Sequence, residues 1–209
     1  MNPEIIGGYT HISVTRHGGT LRIEFTELPE QFYPLTFNFD DSGGSYTELA
    51  KALRFAASSE KVAVVVIAGG KTHFSSGGSF ESTVRPLAEV WNSDERERFY
   101  AATIDVIRAI RDCPKPVLGM VRGPARPICG GGGFAIALAC DALFATPDAR
   151  FMTLFERVGL SGGDMGALDN LISAIGTTQA TAMLLFGQSK TGAEAHELGF
   201  VSATYPYGD

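Results

Sequence analysis

The chain has 209 residues, 44% of them apolar, and a net charge of -6. That is enough apolar material for a sizeable core within the span of one domain, so 1–209 is read as a single domain. The acidic balance leaves no broad basic footprint for nucleic acid, and no window nears the roughly 20 apolar residues of a membrane span. The opening "MNPEIIGGYT" has neither the basic start nor the apolar stretch of a secretory leader, so a cytoplasmic protein is expected. Its three cysteines, Cys113, Cys129 and Cys140, have no metal-ligand or disulfide spacing, which fits free buried thiols in a reducing compartment.

From the N-terminus, "HISVTRHGGTLRIEFTEL" alternates apolar and polar residues on either side of Gly18-Gly19, which predicts a β-hairpin. Leu49, Ala52, Leu53 and Ala56 fall at helical spacing and predict a helix from Tyr46 to Ser59, with Ser45 or Thr47 as its cap. "KVAVVVIAGG" is a continuous β-branched run, as in a strand buried on both faces. A second helix is expected from a Ser93 cap to Cys113-Pro114, with Phe99, Ile104, Val106, Ile107 and Ile110 on its apolar side. "KPVLGMVRG" reads as another buried strand, "GFAIALAC" as a short helix and "ALFATPD" as a strand closed by Pro147-Asp148. Two helices follow over 164–174 and 178–186. Strands and helices in this alternation argue for a layered α/β fold with parallel pairing at its centre.

Each of the two central strands delivers a glycine cluster to its carboxyl end, "THFSSGGSF" after the first and "RGPARPICGGGGF" after the second. Ligands gather at that end of α/β sheets. Glycine in a helix interior costs about 0.5–1 kcal/mol relative to alanine, so Gly130 to Gly133 open a helix at a loss unless something needs bare backbone. Two exposed N–H groups, one at a helix N-terminus, could stabilise an oxyanion. Two other readings stay open. Gly130 to Ala135 also satisfies the dinucleotide pattern G-x-G-x-x-A with Asp148 as the distal acid, and the glycines could serve close packing alone.

"FSSGGSF", "CPKPVLGMVRG", "GGGFAIALACDALFATPDARF" and "DMGALDNLISAIGTTQATAMLLFGQSKTGAEAHELGFV", in that order from about Val62 to Val201, resemble the crotonase (enoyl-CoA hydratase/isomerase) superfamily. The resemblance implies a ββα-repeat spiral and acyl-CoA or related carbonyl substrates. It further implies an oxyanion hole of two backbone amides, here Gly78 and Gly132, with Gly131 as the alternative for the second; by residue type Phe80, Trp91, Phe134 and Phe155 suggest an apolar acyl pocket, and core packing accounts for each of them equally well. Coenzyme A would arrive as part of the substrate, with no separate cofactor and no metal, and assembly would be a homotrimer or hexamer. The family's hydratases use a glutamate pair at positions held here by Ala135 and Phe155, so ordinary hydration is not expected. Enolate chemistry of another kind, isomerisation, C–C hydrolysis or decarboxylation, is favoured over an atypical hydratase or a non-catalytic acyl-CoA-binding subunit.

Asp164 is the first choice for proton transfer and Glu156 the second. An N-cap is the competing role for Asp164, and surface pairing with Arg157 or Arg150 the competing role for Glu156. His73 is a loop histidine, and Asp141 is structural in this reading. Relatives usually have aspartate where Ser79 stands and asparagine where Arg122 stands, "PARPICG" is longer than the usual turn, and the chain lacks both the "N-A-L" pattern and the family's helical tail after "SATYPYGD".

Overall fold

The computed structural model describes residues 2–26, 34–39, 43–79 and 83–208. Among these the strands are β1 (Glu4–Ile5), β2 (Ile12–His17), β3 (Thr20–Phe25), β4 (Pro34–Leu35), β5 (Val64–Ala68), β6 (Gly77–Gly78), β7 (Val117–Val121), β8 (Ile128–Gly130), β9 (Ala142–Ala145), β10 (Arg150–Met152), β11 (Lys190–Thr191) and β12 (Ala203–Thr204). The helices are α1 (Gly44–Ser58), α2 (Arg85–Glu89), α3 (Ser93–Arg111), α4 (Gly131–Ala139), α5 (Ala167–Phe186) and α6 (Gly192–Leu198).

Seven strands form the main sheet in the order β1-β2-β3-β5-β7-β9-β12. The β2–β3 hairpin is antiparallel, with Val14 opposite Ile23, and turns at Gly18-Gly19 as its alternation predicts. From β3 through β12 every pairing is parallel, because each strand returns through a crossover rather than a tight turn. The β-branched run of β5 lies at the centre, between β3 and β7, with Val65, Ile67 and Ala68 fully buried. A smaller sheet, β11-β10-β8, and the two-stranded β4-β6 lie outside it.

Helices α1 and α3 pack together, and an aromatic cluster of Phe37, Trp91 and Phe99, with ring centroids 5.5–5.7 Å apart, fills the space around them. Of the apolar side expected for α3, Phe99, Val106 and Ile110 are buried, Ile107 packs partly against the core and Ile104 is exposed. The caps differ from expectation. Helix α1 starts after Gly43 with no side-chain cap, because the Ser45 hydroxyl turns to Thr36 and accepts its N–H instead. Helix α3 is capped by Asn92, not Ser93: the Asn92 side chain accepts from the Glu95 N–H and the Glu95 carboxylate accepts from the Asn92 N–H. The two late helices are the halves of α5, which breaks at Gly176 (φ 77°), while residues 164–166 form a 3-10 turn ahead of it. Glu48 on α1 is a buried carboxylate that accepts N–H bonds from Thr10, His11 and Ile12, tying the N-terminal segment to the helix.

Candidate active site

The two glycine turns meet because the chain between them is stitched by main-chain hydrogen bonds. The N–H groups of Phe74 and Ser75 both donate to the Ile128 carbonyl, at 2.9 and 3.2 Å, and Gly130 N–H returns to the Ser75 carbonyl at 2.8 Å. The His73 ring fixes the same joint, its Nδ1 accepting from Ile128 N–H at 3.1 Å, so this histidine has a structural duty. The extra length of "PARPICG" is used here: it forms β8, which pairs with β10 and carries the chain alongside the first turn. Asp148 holds that loop, accepting from Arg126 N–H at 2.8 Å, a bond that keeps its pKa below the usual carboxylate range. The acid that the dinucleotide reading would reserve for a ribose is therefore engaged with its own backbone.

At the point of contact Gly77 has φ 94°, and a Cβ there would lie 3.1 Å from Gly132 N and 3.2 Å from both Gly130 O and Gly131 Cα. Only a bare residue lets the two turns come this close. The four glycines opening α4 then divide by role. A Cβ on Gly130 would strike Leu154 Cδ1 at 2.6 Å and one on Gly133 would strike Ser75 Cβ at 2.6 Å, so those two are packing glycines. Gly131 and Gly132 instead line a cleft of ≈ 200 Å³ together with Gly77 and Gly78.

Gly132 sits in the first turn of α4, where N–H groups have no partner inside the helix and carry the positive end of its dipole. No side chain caps that end. On the other turn, Ser79 N–H donates to Leu35 O at 3.1 Å. N–H groups alternate sides along a strand, so that of Gly78 turns away from β4.

The rest of the cleft is largely apolar, with Leu87, Phe99, Leu154, Phe155, Val158 and Leu160 in its wall. Leu154 and Met165, both in the wall, have left-handed backbone at φ 60° and 53°, a conformation that costs roughly 1–3 kcal/mol per non-glycine residue and clusters at functional sites. Asp164 also lines it, mostly buried, and desolvation pushes its pKa up, opposed by a hydrogen bond that it accepts from Met165 N–H at 3.1 Å. It does not cap α5, whose N-cap is Gly166. Ser76 and Arg157 also line the cleft, as do two further hydroxyls. Tyr46 on α1 is buried with its ring edge-on to Phe99, and Thr83 has a buried Oγ1 with no hydrogen-bond partner among the described residues.

Of the residues singled out in the sequence, the structure brings Gly78, Gly131, Gly132, Phe155 and Asp164 to one cleft. Glu156 is elsewhere. Its Oε2 accepts from Thr153 Oγ1 at 3.2 Å, its Oε1 lies 3.9 Å from Arg157 Nε, and it backs onto Gly187. Phe134 is fully buried in a triad with Phe151 and Phe200, centroids 5.6 and 5.7 Å away, and is absent from the cleft wall. Phe80 lies outside the described residues. Asp141 accepts from Val117 N–H at 2.8 Å, a structural bond. Ala135 is buried, and Phe155 lines the cleft with an apolar ring. Sequence reasoning misses Tyr46 and Thr83. For Tyr46 a signal exists: it shares the buried face of α1 with Leu49 and Leu53, and a tyrosine there must find a use for its hydroxyl.

The Enoyl-CoA hydratase/isomerase family model matches residues 42–209. The chain is 30% identical over 168 residues to a peroxisomal Delta(3,5)-Delta(2,4)-dienoyl-CoA isomerase of Arabidopsis thaliana, an alignment covering 77% of this chain and 58% of that protein. It is 32% identical to a probable enoyl-CoA hydratase of Mycobacterium bovis, covering 76% of this chain and 55% of the relative. The chain thus spans little more than half the length of these relatives. A crystal structure of a putative enoyl-CoA hydratase from Streptomyces coelicolor superimposes with TM-score 0.85 at 31% identity, covering 97% of this chain and 70% of that one.

Proposed function

The chain belongs to the enoyl-CoA hydratase/isomerase family, and from that premise we propose that it forms and stabilises the enolate of an acyl-CoA substrate. The thioester carbonyl oxygen sits between the N–H groups of Gly78 and Gly132, and Asp164 moves the proton. As the α C–H bond breaks, its electron pair passes into the carbonyl and the oxygen gains charge, which fixed amides in a low-dielectric cleft stabilise more than they stabilise the ground state. A carboxylate whose pKa is raised by desolvation is matched to taking that proton near neutral pH and returning it. The observation that carries the reading is the convergence of Gly78, Gly132 and Asp164 on one apolar cleft.

Double-bond isomerisation needs only this set: Asp164 takes a proton from one carbon and returns it to another, with no water consumed. C–C hydrolysis and decarboxylation share the same enolate. Hydration needs an oriented water besides, and C–C hydrolysis likewise consumes one, whereas the buried Ala135 and Phe155 offer no carboxylate pair to hold it. An atypical hydratase is the second reading, favoured by the probable enoyl-CoA hydratases among the relatives. Glu156 has no part in this proposal, and coenzyme A enters only as the substrate's carrier. The proposed assembly is a homotrimer or hexamer, which sedimentation reads directly.

The test is exchange of α-hydrogens for deuterium across a panel of acyl-CoA esters, alongside crotonyl-CoA hydration. Exchange by the wild type that is lost in Asp164→Asn supports enolate chemistry. Acyl-CoA binding without any exchange leaves the non-catalytic subunit as the better description.

A further inference from the structure

Not every polar group lining the cleft has a task in the chemistry above. Tyr46 enters from α1, an element separate from both glycine turns, and is only 2% exposed. A Cβ built on Gly132 would lie 2.9 Å from Tyr46 Oη, so the hydroxyl stands directly beside the Gly132 peptide. Among the described residues no hydrogen bond engages that hydroxyl; the Tyr46 ring stands edge-on to Phe99, at 6.0 Å between centroids, and the group feels the charge of Asp164. The carboxylate of Asp164 accepts from Met165 N–H, not from Tyr46. Buried tyrosine hydroxyls nearly always find a partner. This one lies at the wall of the cleft, beside the amide assigned to the carbonyl oxygen.

We propose that the Tyr46 hydroxyl is a third donor to the substrate carbonyl oxygen, alongside the amides of Gly78 and Gly132. The inference rests on the acyl-CoA reading of the cleft. The group acts as a donor and keeps its proton: burial and the nearby Asp164 charge both push its pKa well above the ordinary 10.0. Tyr46 cannot then serve as a base or nucleophile at neutral pH, and no bond to it forms or breaks. Its hydrogen bond strengthens as negative charge gathers on the oxygen, which is what makes it catalytic rather than a binding contact. The same arrangement accounts for Gly132 being bare on this side, since an alanine methyl would occupy the space between amide and hydroxyl.

The experiment uses butanoyl-CoA labelled with 13C at the thioester carbonyl, bound to the wild type and to Tyr46→Phe, which keeps the ring and its Phe99 contact. In the wild type the carbonyl resonance moves downfield on binding. In Tyr46→Phe a clear part of that displacement disappears, affinity changes by less than about tenfold, and α-deuterium exchange slows by about 10–100-fold, at or just below the lower bound of what losing one oxyanion donor costs. Incorporating 3-fluorotyrosine at position 46 makes a stronger donor without removing the group and increases the displacement, a readout independent of any loss of packing. Full displacement and unchanged exchange in Tyr46→Phe overturn the role of Tyr46 and leave the two-amide reading standing. Absence of displacement, or of binding, in the wild type overturns both.

Discussion

Replacing Gly77 with alanine tests whether the two glycine turns meet as described. The substitution acts twice. At φ 94° an L-residue is strained, at roughly 1–2 kcal/mol for left-handed backbone. The new methyl also lies 3.1–3.2 Å from Gly132 N, Gly130 O and Gly131 Cα. These are main-chain atoms that cannot swing aside, and overpacking of that kind costs about 1–3 kcal/mol. The two terms together give about 2–5 kcal/mol. Gly8 supplies a matched control, with φ 92° and nothing within 4 Å of where its methyl would stand, so Gly8→Ala carries the strain alone. Urea unfolding of both variants isolates the contact as the difference, about 1–3 kcal/mol. Equal losses in the two variants would refute the idea that Gly77 is bare because the second turn lies against it. The same clash displaces the Gly132 amide, so exchange activity falls in Gly77→Ala and stays intact in Gly8→Ala.

Gly132→Ala places a methyl 2.9 Å from Tyr46 Oη, and Tyr46→Phe removes that oxygen. A double-mutant cycle in denaturant should therefore show coupling of about 0.5–3 kcal/mol, the pair being less destabilised than the sum; strict additivity contradicts the placement of the hydroxyl. For Asp164 the sign follows from its raised folded-state pKa, above the ordinary 3.8. The stability its protonated form contributes is full below the unfolded pKa and is lost as pH rises through the folded one, so at neutral pH the ionised carboxylate destabilises the fold. Asp164→Asn should melt higher than wild type at pH 7, the gap closing toward pH 3.5 as both carboxyl states become neutral, roughly the unfolded carboxylate range; a gap of constant size across pH contradicts the desolvated setting. Thr83→Val removes a buried hydroxyl that has no partner among the described residues, and thermal denaturation without ligand should show a gain of about 1 kcal/mol, near the lower end of the cost of such a group. A loss of stability would mean that the hydroxyl is satisfied.

The layered α/β architecture was readable because β-branched runs such as Val64–Ala68 and the 3.6-residue spacing of α1 and α3 are local signals that the burial pattern repeats. Caps were less legible. Ser45 and Ser93 are good capping residues by type, but Ser45 bonds to Thr36 and the Asn92–Glu95 pair closes both orphan N–H groups at once. Strands β8 and β10 escaped notice because each has three residues and gains its order from its neighbour. The site divides along the same line. Gly78, Gly132 and Asp164 belong to motifs of fixed order along the chain, whereas Tyr46 comes from a helix outside those motifs and joins them only through the packing of α1. Phe134 and Phe155 look alike in sequence, and only the fold sends one into the aromatic core and the other to the cleft.

The most direct measurement is a crystal structure with a saturated acyl-CoA bound. The account predicts the thioester oxygen at about 2.7–3.1 Å from both Gly78 N and Gly132 N, the distance range of an effective oxyanion donor, with the α-carbon toward Asp164. A thioester oxygen lying beyond about 3.5 Å from either nitrogen, outside hydrogen-bond range, would contradict it.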